Sequence, residues 1–119
     1  MGGHVFKDPV TKKPLTQPVA REDIPATVMW IELLLKIPGL SENLLGSAGQ
    51  AESSNDIDLA VNEIYHSKDS VYEKLTSYIK HMYPDDPLKS WVARSGNSIH
   101  FRTPICGNRD FGFVQTDLM

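Results

Sequence analysis

An alternation of acidic and apolar residues, Asp56-Ile57-Asp58-Leu59-Ala60-Val61, constrains this chain more than any other stretch. Successive side chains of an extended segment point to opposite faces. Ile57, Leu59 and Val61 therefore need a core on one side, while Asp56 and Asp58 stand together on the other, roughly 6.5 Å apart along the strand. Two carboxylates that close repel, and each makes the other harder to ionise unless a positive group lies between them. A divalent cation held by hard oxygen ligands, Mg²⁺ or Mn²⁺, is the simplest such group. The stretch reads as a half-buried strand whose second face is a polar site, the alternative being a solvated turn or helix cap with two unrelated acids.

Ahead of it runs Leu44-Leu45-Gly46-Ser47, then a small, polar connection from Ala48 to Asn55. Gly46 lets the backbone turn where a side chain would clash, so Ser47 can offer its N–H and hydroxyl to an anion. A phosphate-facing Gly-Ser beside a metal-facing carboxylate pair suits a nucleoside triphosphate. Near the other end, "GFVQTDLM" reads as a last strand. Its alternation puts Gln115, Asp117 and Met119 on one face and Val114, Thr116 and Leu118 on the other. Asp117 is then on a solvent face or in the site, and the site is the expectation, on the same side of the sheet as the pair.

"LLGS", "DIDLAV" and the later Asp117 together resemble the nucleotidyltransferase superfamily of DNA polymerase β, poly(A) polymerase and the CCA-adding enzymes. The likeness covers Leu44 to Met119. It implies an α+β domain of polymerase β palm-like fold, with a small mixed sheet, helices packed on one face and the site at a sheet edge. It also implies an activity: metal-dependent transfer of a nucleoside monophosphate from an NTP to an acceptor hydroxyl, releasing pyrophosphate. Gly46 and Ser47 would bind the nucleotide. Asp56, Asp58 and Asp117 would be both metal ligands and catalytic groups, with Asp117 orienting or deprotonating the acceptor. The acceptor could be a nucleic acid, a small molecule or a protein. The alternative is a catalytically idle copy of the fold used for binding or assembly. Two other users of Asp-x-Asp fit less well. Haloacid-dehalogenase-like phosphatases place the motif at the end of an apolar strand, whereas Glu52-Ser53-Ser54-Asn55 precedes it here, and glycosyltransferases are larger. Members of the superfamily commonly carry a further helical domain, so residues 23–119 read as a nucleotidyltransferase-like domain truncated at its C-terminus.

The bulk properties set the class. One domain with a single core is expected from 119 residues. A net charge of −3 argues against a surface built to grip nucleic acid by itself. Cys106 is the single cysteine, which points to a reducing compartment, the cytoplasm, and no apolar run is long enough for a membrane span.

Residues 1–22 hold Pro9, Pro14 and Pro18 and should form an extended arm or irregular hairpin. Either Val5, Phe6, Leu15 and Val19 pack on the domain, or the arm contacts a partner subunit in an oligomer. A helix is predicted from Pro25 to Lys36, capped by Asp23, with Val28, Ile31, Leu34 and Leu35 as its buried stripe, widened by Trp30 and Leu33. A second should open on a capping box at Ser70 and Glu73 and bury Val71, Tyr72, Leu75, Ile79 and Met82, with Tyr78 and His81 outward. Ser95-Gly96-Asn97-Ser98 signals a hairpin between two further strands. His4, His66, His81 and His100 show no ligand spacing, and Arg94, Arg102, Arg109 and Cys106 carry no assigned role.

Overall fold

A computed structural model describes residues 5–45 and 52–119. It is an α+β fold: a mixed five-stranded sheet whose apolar face is covered by two helices. The sheet strands are β2 (Leu44–Leu45), β4 (Asp56–Leu59), β5 (Val92–Ser95), β6 (Ser98–Pro104) and β7 (Phe113–Leu118), in spatial order β2-β4-β7-β6-β5. β1 (Val19–Ala20) and β3 (Ser53–Ser54) form a separate two-stranded ribbon. The helices are α1 (Ile24–Leu35) and α2 (Lys68–Met82).

Side-chain alternation sorts the sheet into two unlike faces. Ile57 and Leu59 of β4 share the helix side with Val114, Thr116 and Leu118 of β7 and with Ile99, Phe101 and Thr103 of β6. All eight are buried, and the apolar ones join Val28, Ile31 and Leu35 of α1 and Val71, Leu75 and Ile79 of α2 in one core. Thr103 and Thr116 are the polar exceptions, and their hydroxyls bond each other at 2.8 Å, which satisfies both without water. The opposite face carries Asp56, Asp58, Gln115, Asp117, His100 and Arg102.

Both helices differ in detail from the sequence expectation. α1 is preceded by a 3-10 turn at Arg21–Asp23, and the Asp23 side chain caps nothing. Thr27 Oγ1 donates instead to the Asp23 carbonyl at 2.7 Å and accepts from Cys106 N–H at 2.8 Å, tying the helix start to the turn after β6. Leu33 stands out at 69% exposure, because the core-facing stripe is narrower than the apolar content of the helix suggests. The cap of α2 lies three residues before the expected one. It is Ser67, whose Oγ accepts from Ser70 N–H at 3.1 Å. Starting there brings Asp69 into the first turn, where a negative charge is favoured by the helix dipole. Met82 is exposed rather than core, and Tyr78 turns inward to meet the Trp30 ring edge-on at 5.5 Å.

The β5–β6 hairpin turns on Gly96 and Asn97, with Gly96 at φ 58, the left-handed value a two-residue hairpin loop asks of its first residue. After β6 the chain makes two 3-10 turns, Ile105–Gly107 and Arg109–Phe111. Gly107, at φ 70, lies so near Trp30 that a Cβ there would sit 2.4 Å from the indole Cδ1.

The N-terminal segment folds back as an irregular hairpin on its own domain. Phe6 and Val19 are buried, Leu15 N–H donates to the Phe6 carbonyl, and Gln17 N–H donates to the Phe113 carbonyl. Val5 is partly exposed, at the lip of the polar face.

Candidate functional site

Two neighbouring strands supply the acids. β4 and β7 run parallel, with Asp58 opposite Asp117 and Asp56 opposite Gln115. The matched alternation brings Asp56, Asp58 and Asp117 to one face, and each offers a carboxylate oxygen within 4.8 Å of the others. These are interior strands of the sheet. The cluster therefore lies on the open face, where the expectation was a sheet edge, because β2 and β6 flank β4 and β7. It forms the floor of a cavity of about 560 Å³, lined also by Val5, Ser98, His100 and Met119.

The electrostatics are those of three acids crowded together, with His100 beside Asp117 and Arg94 at the rim of the same cavity. Among the described residues no lysine or arginine forms an ion pair with the three acids. Arg94 is tied to Asp69 at 2.5 Å. Arg102 is held between the Trp91 ring, 4.2 Å from its centroid, and the Phe113 ring at 4.4 Å. Asp56 is pushed up to about 6, first by burial and then by the charge of Asp58 and by its contact with Asp117. Asp58 is raised for the same reasons, burial leading and Asp117 following. Both shifts favour the protonated acid in the bare protein, and a bound cation would reverse them.

The donor set fits a hard divalent ion. Three carboxylates on rigid strands offer oxygen ligands of the kind Mg²⁺ and Mn²⁺ take, and leave room for water or phosphate oxygens. A softer metal would want nitrogen or sulfur. Cys106 is remote from this face, near Asp23, and burial and that neighbour raise its thiol above the ordinary range, which leaves it a poor nucleophile.

Two further residues of the site were assigned no role from the sequence. His100 faces Asp117 across β6 and β7, and its Nδ1 lies 2.7 Å from Asp117 Oδ1. Gln115 Nε2 donates to the same oxygen at 2.8 Å, and Gln115 Oε1 accepts from Val5 N–H at 2.9 Å. Gln115 shares a face with Asp117 by alternation, which the sequence gives directly. His100 needed the register between β6 and β7, which it does not.

The expected nucleotide-binding residues, Gly46 and Ser47, lie outside the described residues, as does the loop through Ala51. Beyond it, Ser53–Ser54 forms β3 where only a polar connection was expected, and it leads through Asn55 into the first acid. No helix among the described residues is long and apolar enough to cross a membrane. Comparison with models of known protein families, with curated proteins and with solved structures finds no match to this chain.

Proposed function

We propose that this protein is a metal-dependent nucleotidyltransferase with a polymerase β palm-like fold, acting on a nucleoside triphosphate in the cytoplasm. The observation that carries the reading is the convergence of three carboxylates from two adjacent strands on a face the helices leave open. A cluster held by strands whose other face is core bears a standing electrostatic cost, and a cation removes it.

Mg²⁺ or Mn²⁺, when bound, supplies positive charge that neutralises the triphosphate. Asp56 and Asp58 would hold it from one strand and Asp117 from the next. Gly46 and Ser47 are the residues expected to meet the phosphates. The acceptor hydroxyl oxygen bonds to the α-phosphorus, the bond from that phosphorus to the bridging oxygen breaks, and pyrophosphate leaves with the electron pair. Asp117 orients the acceptor O–H and takes its proton, which then passes to solvent.

The test is mass spectrometry of protein incubated with each NTP, Mg²⁺ or Mn²⁺, and hydroxyl acceptors drawn from nucleic acids, small molecules and proteins. An acceptor heavier by one nucleoside monophosphate, lost in Asp56→Asn, supports the reading. Binding of NTP with no adduct on any acceptor would favour the idle-copy alternative, and no metal-dependent NTP binding at all would remove both.

A further inference from the structure

The hydrogen bonds around Asp117 reach from the site into the N-terminal segment. Asp117 is nearly buried, and its Oδ1 accepts from Gln115 Nε2 at 2.8 Å and lies 2.7 Å from His100 Nδ1. A carboxylate that holds a cation can only accept, so metal binding requires the His100 hydrogen to sit on Nδ1. With Oδ1 taken twice, Oδ2 is the oxygen the carboxylate has left to offer. Gln115 is 1% exposed, and both ends of its amide are used: Nε2 on Asp117 and Oε1 on Val5 N–H at 2.9 Å. That assignment is self-consistent, because a flipped amide would set oxygen against oxygen at Asp117 and N–H against N–H at Val5.

Val5 belongs to a segment held down independently of the cluster. Phe6, next to it, is buried, its carbonyl accepts from Leu15 N–H, and the Leu15 carbonyl accepts from Arg102 Nε at 3.3 Å. The segment therefore has its own reason to be where it is.

We propose, on the reading of the cluster as a metal site, that Gln115 and His100 are positioning residues for Asp117 and that the N-terminal segment is a working part of the site. The docked segment fixes Gln115 through the Val5 N–H. Gln115 and His100 together fix the Asp117 carboxylate in the orientation that turns Oδ2 toward a cation shared with Asp56 and Asp58. Partners of this kind set the orientation of a ligating group, and losing one weakens metal binding by about tenfold or more. Coupling is reciprocal, so a cation on the cluster must also tighten the docking of the segment. Gln115 is suited to the bridge because glutamate would set a fourth carboxylate against Asp117 and leucine would leave Val5 N–H and one acceptor position of Oδ1 without partners.

The experiment is Mn²⁺ binding to the full chain, followed by electron paramagnetic resonance of the free ion, with amide hydrogen exchange of residues 5–8 measured with and without Mn²⁺. Val5→Pro deletes the backbone N–H that Gln115 Oε1 accepts from and leaves the side chains of the three acids unchanged. Gln115→Met keeps length and removes both polar ends, and His100→Leu removes the other donor. Each should weaken Mn²⁺ binding about tenfold, and Mn²⁺ should slow exchange in residues 5–8 of the parent. Thr103→Val, which breaks a buried hydrogen bond on the opposite face, lowers stability and should leave Mn²⁺ affinity unchanged, so lost stability by itself is not mistaken for lost positioning. Should Gln115→Met fold poorly, Val5→Pro and His100→Leu decide the matter. If Asp117→Asn weakens Mn²⁺ binding while these variants bind like the parent, the positioning role is overturned and the metal site stands. If the parent itself binds no Mn²⁺, both are overturned.

Discussion

Asp58→Asn should make the metal-free protein more stable. In the parent at pH 8, Asp56, Asp58 and Asp117 lie within 4.8 Å of one another with no lysine or arginine paired to them among the described residues. Two unit charges at such a distance repel by roughly 1 kcal/mol in water and by about 3 kcal/mol at the effective dielectric of a protein surface. Asp56 alone, moved from 3.8 to about 6, sets a similar upper bound of about 3 kcal/mol. The cluster faces an open cavity, so screening by water brings the expected gain down to about 1 kcal/mol. For a domain of this size that raises Tm by roughly 3–5 °C. The sign reverses in the presence of ligand. Mn²⁺ at saturating concentration should stabilise the parent by mass action and leave Asp58→Asn nearly unmoved, so the two melting curves exchange order. Differential scanning fluorimetry at pH 8 and pH 4.5, with and without Mn²⁺, reads all of this. A metal-free Tm that falls at pH 8 would refute the reasoning, as would a gain that persists undiminished at pH 4.5, where Asp56 is protonated.

The same charges set a pH dependence. Asp56 titrates higher folded than unfolded, so the native state holds more protons between those two values and metal-free stability falls as pH rises from about 4 to about 6. Urea midpoints across that window should decline by an amount equivalent to about 1 kcal/mol after allowance for solvent screening, and Mg²⁺ should stabilise more strongly as pH rises through the window because ligation needs the deprotonated acid. Gly107→Ala forces a Cβ into the Trp30 ring at a positive φ, and should cost about 2–4 kcal/mol by chemical denaturation. Ser67→Ala removes the cap of α2 and should cost about 1 kcal/mol, whereas Ser70→Ala should cost less; equal losses would place the cap wrongly.

The alternation of residues 56–61 and 113–119 made the two faces of β4 and β7 legible, because period-two patterning depends only on neighbours along the chain. It assigned Gln115 and Asp117 to one face and Val114, Thr116 and Leu118 to the other, and the structure has them so. The expectation that Asp117 joins the pair on one face also holds, and what escaped was the register between distant segments. Asp58 opposite Asp117 and His100 opposite Asp117 are facts of register between strands far apart in sequence. Helix starts failed for a local reason. Ser67 and Ser70 both have the chemistry of a cap, and the choice between them turned on where Asp69 falls relative to the helix dipole. Tyr78 turned inward because Trp30, on another helix, offers it an edge to pack against, which helical periodicity does not reveal.

The position of β7 in the sheet has a kinetic consequence. It pairs with β4 on one side and β6 on the other, so it joins a β2–β4 half to a β6–β5 half. The β5–β6 hairpin and α2 can form from local contacts on a fast timescale, but the β4–β7 pairing must close a loop of more than fifty residues. During synthesis, the strand that completes the sheet emerges after every other strand described. A nascent or partly folded chain therefore carries Asp56 and Asp58 on a strand with an open hydrogen-bonding edge, without Asp117 in place beside them. Assembly of the three-carboxylate cluster is the same event as closure of the sheet, so Mn²⁺ binding during refolding should report the final cooperative step and none before it.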